Sequence, residues 1–361
     1  MCCHLFLLLA PCIPTFASTS IRLTAGNGPY AVAAADITQD GRSDIVPSNR
    51  TDGTISVFFN TGAGTFATPA VLDNGLVVVT NPEGLTIADV LGADTFPDII
   101  VANRGQDNIL VYQGTGAGVF SAAQSIALPV IAPPLTAAPR DVAVSDLNGD
   151  SRNDIVVACS DANVRVLLYN NVANPFPVAS LLALGAGAVA RSVVLANLDG
   201  RDRDDIIVAS TIANEVRTFR NDGRGGFVAW RPTETAPEGQ GPQSVAAGDV
   251  SGDGFPDVVV ACTDSSNIGI SLTDGTGIIA DPFFLTPGVA PRAVRLADIN
   301  NDGKLDILYT SNSVGAKPAP LPIGITTADI NADGTADDII PEDNIASVDI
   351  CKSHSTWRQT T

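Results

Sequence analysis

Asp146-Leu147-Asn148-Gly149-Asp150-Ser151-Arg152-Asn153-Asp154 runs without a break into Ile155-Val156-Val157-Ala158. Oxygen-bearing side chains stand at positions 1, 3, 5 and 9 of this phrase. Alternate residues of a tight loop turn their side chains to the same side. The spacing therefore aims three carboxylates and an amide oxygen at one point. A hard cation that wants six to eight oxygens suits such a set, and Ca2+ is the usual one.

Four further copies keep the pattern: DITQDGRSD from Asp36, DVSGDGFPD from Asp249, DINNDGKLD from Asp298 and DINADGTAD from Asp329. One copy alone reads equally well as a solvated hairpin, because Asp, Asn and Gly are ordinary turn residues. Five copies in register do not. An EF-hand loop opens similarly but needs Glu at position 12 and flanking helices. Position 12 here is Pro47, Val157, Val260, Tyr309 or Ile340, so that reading fails. Two more copies are degenerate. The copy at Asp89 has one residue too many before Asp98 and offers Leu91 and Ala93 where oxygens belong. The copy at Asn197 carries Arg201 at position 5, whose guanidinium can stand in for a metal.

Working outward from the loop, each unit follows one plan. A Pro-containing turn leads into a strand of small residues, then comes the acidic loop, then an apolar strand such as DIVVACS, DIIVAST or DVVVACT. A third strand follows (NVRVLLYN, NILVYQG, TISVFFN), and a Gly-rich turn closes on Phe66, Phe120 or Phe227 ahead of an outer strand. First loop residues fall at 36, 89, 146, 197, 249 and 298, a period of about fifty. Four short strands per fifty residues, joined by tight turns, make the blade of a β-propeller. An apolar period of 3.6, which helices would demand, appears nowhere. The expected fold is an all-β propeller of seven blades, each of about four antiparallel strands. The step from Asp298 to Asp329 is short and Pro-rich (Pro318, Pro320, Pro322), so the sixth blade is expected to be incomplete. Ile21–Thr24 precedes the first loop as an orphan outer strand able to pair with the last blade and close the ring.

These residues carry a resemblance to the FG-GAP/VCBS repeat proteins, whose members include the seven-bladed head of integrin α subunits. The shared motif is D-x-N-x-D-G-x-x-D before an apolar strand, with G-x-G-x-F some twenty residues later. It extends over roughly 21–350. The resemblance implies Ca2+ held by the side chains at loop positions 1, 3, 5 and 9 and by the position-7 carbonyl. The implied ligands are Asp36, Thr38, Asp40 and Asp44; Asp146, Asn148, Asp150 and Asp154; Asp249, Ser251, Asp253 and Asp257. Two more sets are Asp298, Asn300, Asp302 and Asp306, then Asp329, Asn331, Asp333 and Asp337. About five Ca2+ ions are expected.

The net charge of −19, from 39 acidic and 20 basic residues, belongs with this reading, since each full loop contributes three Asp. Without metal, two carboxylates ~4 Å apart repel by about 4 kcal/mol at an effective dielectric of ~20. No basic stripe is present, which argues against nucleic acid or an anionic membrane as partner. No apolar run of spanning length follows the N-terminus, so no membrane span is expected. Residues 1–17, MCCHLFLLLAPCIPTFA, resemble a secretory signal peptide, although no Lys or Arg precedes the apolar stretch. The expected domains are that leader, a propeller over 18–350 and a polar tail over 351–361, in a secreted monomer. Cys159 and Cys262 hold equivalent places in separate units and read as small core residues rather than a disulfide.

Catalysis finds little support. His354 is the only histidine beyond the leader, and lysine occurs only at Lys304, Lys317 and Lys352. The expected function is a binding or adhesion module for a protein or carbohydrate ligand, with Ca2+ structural and no enzyme activity. A lectin is the first alternative, and a polysaccharide lyase or glycosidase on a propeller is the second. Trp230, the only Trp within the repeats, reads as packing before sugar stacking. Arg140, Arg191 and Arg292 occupy matching places ahead of inner strands and are expected to pair with neighbouring Asp. Asn49-Arg50-Thr51 is a lone glycosylation sequon.

Overall fold

A computed structural model describes residues 21–62, 64–72, 79–92, 94–129, 136–170, 175–201, 203–230, 239–277, 279–286, 290–298, 303–312, 326–328, 337–342 and 347–351. Apart from one short 3-10 turn, Arg104–Gln106, every element described is a strand.

The apolar run after each acidic loop is the second strand of a sheet. Asp44–Asn49, Asp98–Asn103, Asp154–Cys159, Asp205–Ser210 and Asp257–Cys262 are buried at every residue. A strand covered on both faces has no solvent side, which is why its sequence shows no polar alternation. Each pairs antiparallel with an inner strand before it: Pro29–Ala35, Pro82–Ala88, Pro139–Ser145, Ala190–Ala196 and Pro242–Gly248. On its other side lies a third strand: Thr54–Val57, Asn108–Tyr112, Asn163–Leu167, Glu215–Asn221 or Asn267–Ser271. The outer strands are Ala70–Leu72, Gln124–Ala127, Val178–Ala183, Phe227–Ala229 and Phe283–Leu285. These are blades 1 to 5.

The hydrophobic core lies between blades rather than within them. Val46, Ile55 and Val57 of blade 1 pack with Ile99, Val101 and Leu110 of blade 2. Ile100 and Val111 of blade 2 pack with Ile155 and Val157 of blade 3. The same relation joins blade 3 to 4 and blade 4 to 5. Phe120 and Phe227 pack against two of these interblade clusters, as wedges. Cys159 and Cys262 are fully buried in the core, and neither is in a disulfide.

The expectation of seven like blades is corrected. Five blades are complete among the described residues, and the rest of the described chain departs from their plan. Ala290–Ala297 and Asp306–Asn312 form a sheet of two strands among the described residues, where the sequence is too short for a full unit. Thr326–Ala328, Asp337–Glu342 and Ser347–Cys351 form three strands of a sheet whose fourth is Ile21–Thr24, with Ile21 opposite Ile350 and Thr24 opposite Ser347. Blade 1's inner strand packs against this mixed sheet, so the first and last described strands close the ring.

One irregularity repeats. In six inner strands the register slips near the second residue, between Pro29 and Ala31, Pro82 and Leu85, Pro139 and Asp141, Ala190 and Ser192, Pro242 and Ser244, and Pro291 and Ala293. Such a bulge leaves a residue out of the ladder and re-aims its side chain.

Candidate functional site

The acidic loops join each inner strand to its second strand. Positions 4 and 6 adopt left-handed backbone: Gln39 and Gly41 (φ 59° and 84°), Gly149 and Ser151 (86° and 66°), Gly252 and Gly254 (80° and 91°). Two left-handed residues so close together curl the backbone amides inward, toward the first Asp. Asp36 accepts the amides of Asp40 and Gly41 at 3.0 and 2.7 Å. Asp146 accepts those of Gly149 and Ser151 at 2.7 and 3.0 Å. Asp249 accepts Gly252, Asp253 and Gly254 at 2.6, 3.1 and 2.8 Å. Desolvation opposes the effect, yet the amides of Gly254, Gly252 and Asp253 together hold the Asp249 carboxyl below its ordinary value. Asp298 accepts Gly303 at 2.6 Å.

Position 3 closes on its neighbours. Thr38 and Ser251 donate their hydroxyls to Asp36 and Asp249, each at 3.4 Å. Asn148 accepts the Asp150 amide at 2.9 Å and donates to the Asp150 carboxylate at 3.2 Å. Position 5 accepts the amide two residues on: Asp40 from Arg42, Asp150 from Arg152 and Asp253 from Phe255.

Position 9 has a role that sequence reasoning missed. Asp44, Asp98, Asp154, Asp205 and Asp257 are almost wholly buried. One oxygen of each accepts the amide of loop position 2, and the other accepts an amide fifteen or sixteen residues later, at the end of the third strand. The latter donors are Asn60, Gly114, Tyr169, Asn221 and Thr273, at 2.8–2.9 Å. The carboxylate staples loop to strand. Burial pushes Asp98, Asp154 and Asp205 up to about 6, against the amides, which favour the charged form. Asp98 and Asp205 stand in the two degenerate copies. Their persistence where the other oxygens are missing was the available signal that position 9 also serves the fold.

Arginines separate the loops from one another. Arg42 pairs with Asp40. Arg203, from the loop of blade 4, crosses to Asp146 of blade 3 at 3.0 Å. In the degenerate copy Asp199 lies between Arg201 at 3.2 Å and Arg220 at 3.0 Å, so two guanidiniums offset its charge. Asp249 and Asp253 have no arginine partner among the described residues.

The donors offered to a cation are all oxygens, the set a hard divalent ion takes. Among the described residues no cluster of three or more acidic side chains stands in metal-holding geometry. Asp36, Thr38 and Asp40, or Asp249, Ser251 and Asp253, share one curled loop, while Asp44 and Asp257 face the backbone behind it. Asn300, Asp302, Asp329, Asn331 and Asp333 lie outside the described residues. Asp337 opens a described strand, but its side chain is not among those described, and Asp298 and Asp306 flank the fourth loop.

Other sequence expectations resolve as follows. Trp230 packs on the blade 4–5 core, and the Arg220 guanidinium lies 5.3 Å from its ring centre. Asn49 is fully buried and its amide donates to Thr54 and Ser56 at 3.0 and 2.9 Å, so the sequon is not available to a glycan. Arg140 pairs with Glu83, not an Asp, at 3.2 Å. Arg191 lies 5.8 Å from the Tyr30 ring centre. The leader lies outside the described residues, as does the tail beyond Cys351, which ends the last strand. No described helix is long and apolar enough to cross a membrane.

The profile of the FG-GAP-like repeat matches residues 93–157, 146–208, 197–260 and 252–309. No curated protein matches the chain in sequence. Among solved structures, the chain is similar to BBS1N in its complex with ARL6DN, with a TM-score of 0.61 and 13% identity over 91% of this chain and 94% of that one. It is similar to a protein of Lactobacillus plantarum with a TM-score of 0.50 and 17% identity, over 71% and 74% of the two chains. A provisionally assigned 6-phosphogluconolactonase of Bacteroides fragilis gives 0.52 and 17%, over 73% and 74%. At these identities the likeness is one of fold.

Proposed function

Because the chain belongs to the FG-GAP-like repeat family, we propose that it is a secreted binding or adhesion module, with Ca2+ structural and a protein ligand held by loops on a propeller face. The observation that carries this reading is the recurrence of an oxygen-only loop, curled by two left-handed residues, between the inner and second strands of blades 1, 3 and 5. Asp36, Thr38 and Asp40, and their counterparts at 146–150 and 249–253, would hold the cation. It would supply positive charge that offsets the crowding of carboxylates and would lock each loop against its strand. BBS1N is similar in fold and was crystallised with a protein partner, which supports a protein over a carbohydrate ligand. The packing of Trp230 into the core points the same way, since a sugar platform must be exposed.

At a free Ca2+ concentration a hundredfold above Kd, each site adds roughly 2.7 kcal/mol to folded-state stability. Several such sites match the usual stability of a domain, about 5–15 kcal/mol. Removing Ca2+ with EDTA is therefore expected to lower Tm by many degrees. A shift of about one degree or less would end the cation part of the proposal. A glycan array with Ca2+ present tests the ligand class, and strong selective glycan binding would favour the lectin.

A further inference from the structure

The inner strands begin at the end of the blades away from the acidic loops, which follow their last residues. The second strands run back antiparallel, with Pro29 opposite Asn49 and Pro82 opposite Asn103, so Arg50 and Arg104 emerge at that same far end. There the repeated bulge takes Tyr30, Glu83, Arg140, Arg191, Gln243 and Arg292 out of the ladder, one from each of six inner strands. The sequence has made this ring basic in a chain of net charge −19.

The charges do not balance locally. Glu83 is fully buried and is the one carboxylate that three arginines share. Arg140 lies 3.2 Å from it, while Arg50 and Arg104 stand at 3.6 Å, beyond hydrogen-bond reach. The Arg104 Nε is buried with no hydrogen-bond partner. Arg191 adds a fourth guanidinium, and it forms no ion pair among the described residues; Arg50 and Arg191 both lie over the Tyr30 ring, at 5.2 and 5.8 Å from its centre. Burial, with Glu83 contributing, pushes the Tyr30 phenol up to about 12 against the pull of the arginines, so it stays a neutral donor. Beyond Glu83 the nearby carboxylate is Asp141, which Arg295 faces, so five guanidiniums stand against two carboxylates and donors are in excess. Arg140, Arg191 and Arg295 line, with Tyr30, Asp141 and Ser192, a neck of about 40 Å³, and Arg50 and Arg104 add their charge from around Glu83. Behind it the channel widens to about 340 Å³ between walls that include Val142, Val193 and Val245 together with Asp141 and Arg295.

We propose that the mouth of the central channel, on the face away from the acidic loops, is an oxyanion site in which Arg140 and Arg191 receive a carboxylate or sulfate-like group, with Arg50 and Arg104 adding positive charge from around Glu83. The forked guanidinium suits such planar or tetrahedral oxyanions. The neck admits one such group and no sugar ring. The site deepens the reading of the chain as a binding module and is independent of the cation loops on the opposite face.

The test is calorimetric titration of the full chain at constant ionic strength with three probes: succinate, sulfate and a hexaglutamate peptide. Saturable binding is expected, weakened about tenfold or more in Arg104→Gln/Arg191→Gln, the loss of at least one charge-assisted hydrogen bond. The Arg191 side chain makes no hydrogen bond or ion pair among the described residues, whereas Arg104 lies 3.6 Å from Glu83, so Arg191→Gln is titrated alone as well and the Tm of both variants is compared with the parent's. Arg224→Gln, an exposed arginine elsewhere, is expected to bind as the parent does. Binding of the small anions would place a free metabolite-like anion in the neck. Binding of the peptide alone would mean that an acidic side chain of a partner protein fills it. Absence of saturable binding by all three, or equal binding by the double variant, would overturn the proposal. Either result leaves the response to EDTA untouched, so the two readings fail separately.

Discussion

Asp205 accepts the amide of Asn221 at 2.9 Å through one carboxylate oxygen and the amide of Leu198 at 3.0 Å through the other. The pair ties an acidic loop to the far end of the third strand in the copy where Arg201 stands at a position that elsewhere carries Asp. Position 9 thus has work in the apo fold. Asp205→Ala leaves two buried amides without acceptors, and each such orphan costs about 1–3 kcal/mol. A loss of about 3 kcal/mol or more is expected in urea unfolding, equal with and without Ca2+. A loss below about 1 kcal/mol would mean that water or a neighbouring oxygen replaces the staple.

Gly277 turns the Gly-rich loop of blade 5 with φ 80°, and a Cβ there would fall inside the ring of Trp230. Gly277→Ala combines a left-handed strain of about 1–2 kcal/mol with overpacking of about 1–3 kcal/mol. A marked drop in Tm is expected, partly restored by Trp230→Leu. An unchanged Tm would show that Trp230 is free to leave its pocket.

The stapling carboxyls set a pH dependence. Asp98 is held at about 6 in the fold against an ordinary 3.8, mainly because burial disfavours its charge. A folded value above the unfolded one means that protonation favours the fold. Its contribution is complete below ~3.8 and is lost as pH rises through about 6. In EDTA, stability is expected to increase between pH 7 and pH 5, and Asp98→Asn is expected to flatten that slope. Parallel curves for the variant and the parent would refute the assignment.

Arg203 is the internal competitor at Asp146. A partly exposed pair of this kind is worth up to about 1 kcal/mol, or roughly fivefold in an equilibrium constant. Arg203→Gln is expected to tighten Ca2+ binding at the blade 3 loop by up to that factor and to leave the blade 5 loop unchanged. Weaker binding in the variant would show that Arg203 positions Asp146 rather than blocking it.

The fold was legible because its grammar repeats: a loop of Asp and Gly, an apolar run buried on both faces, a Gly-rich turn ending in Phe. The pairing of Ile21–Thr24 with the last strand could be anticipated, as its apolar alternation had no partner nearby. The number of complete blades was harder, since Asp298 and Asp329 open similar loops while the chain between them is too short for four strands. At the site, local spacing revealed the curled loops. It could not reveal Arg203 at Asp146 or the arginines around Glu83, because those contacts join residues tens of positions apart and, Arg104 excepted, in different blades. The second role of position 9 was hidden for another reason, in that a ligand and a backbone staple call for the same residue.

The most direct measurement is a calorimetric Ca2+ titration of the metal-free chain, read for stoichiometry. About five sites are expected, their number falling by one for a chain carrying both Asp249→Asn and Asp253→Asn. A stoichiometry of one or none would contradict the account.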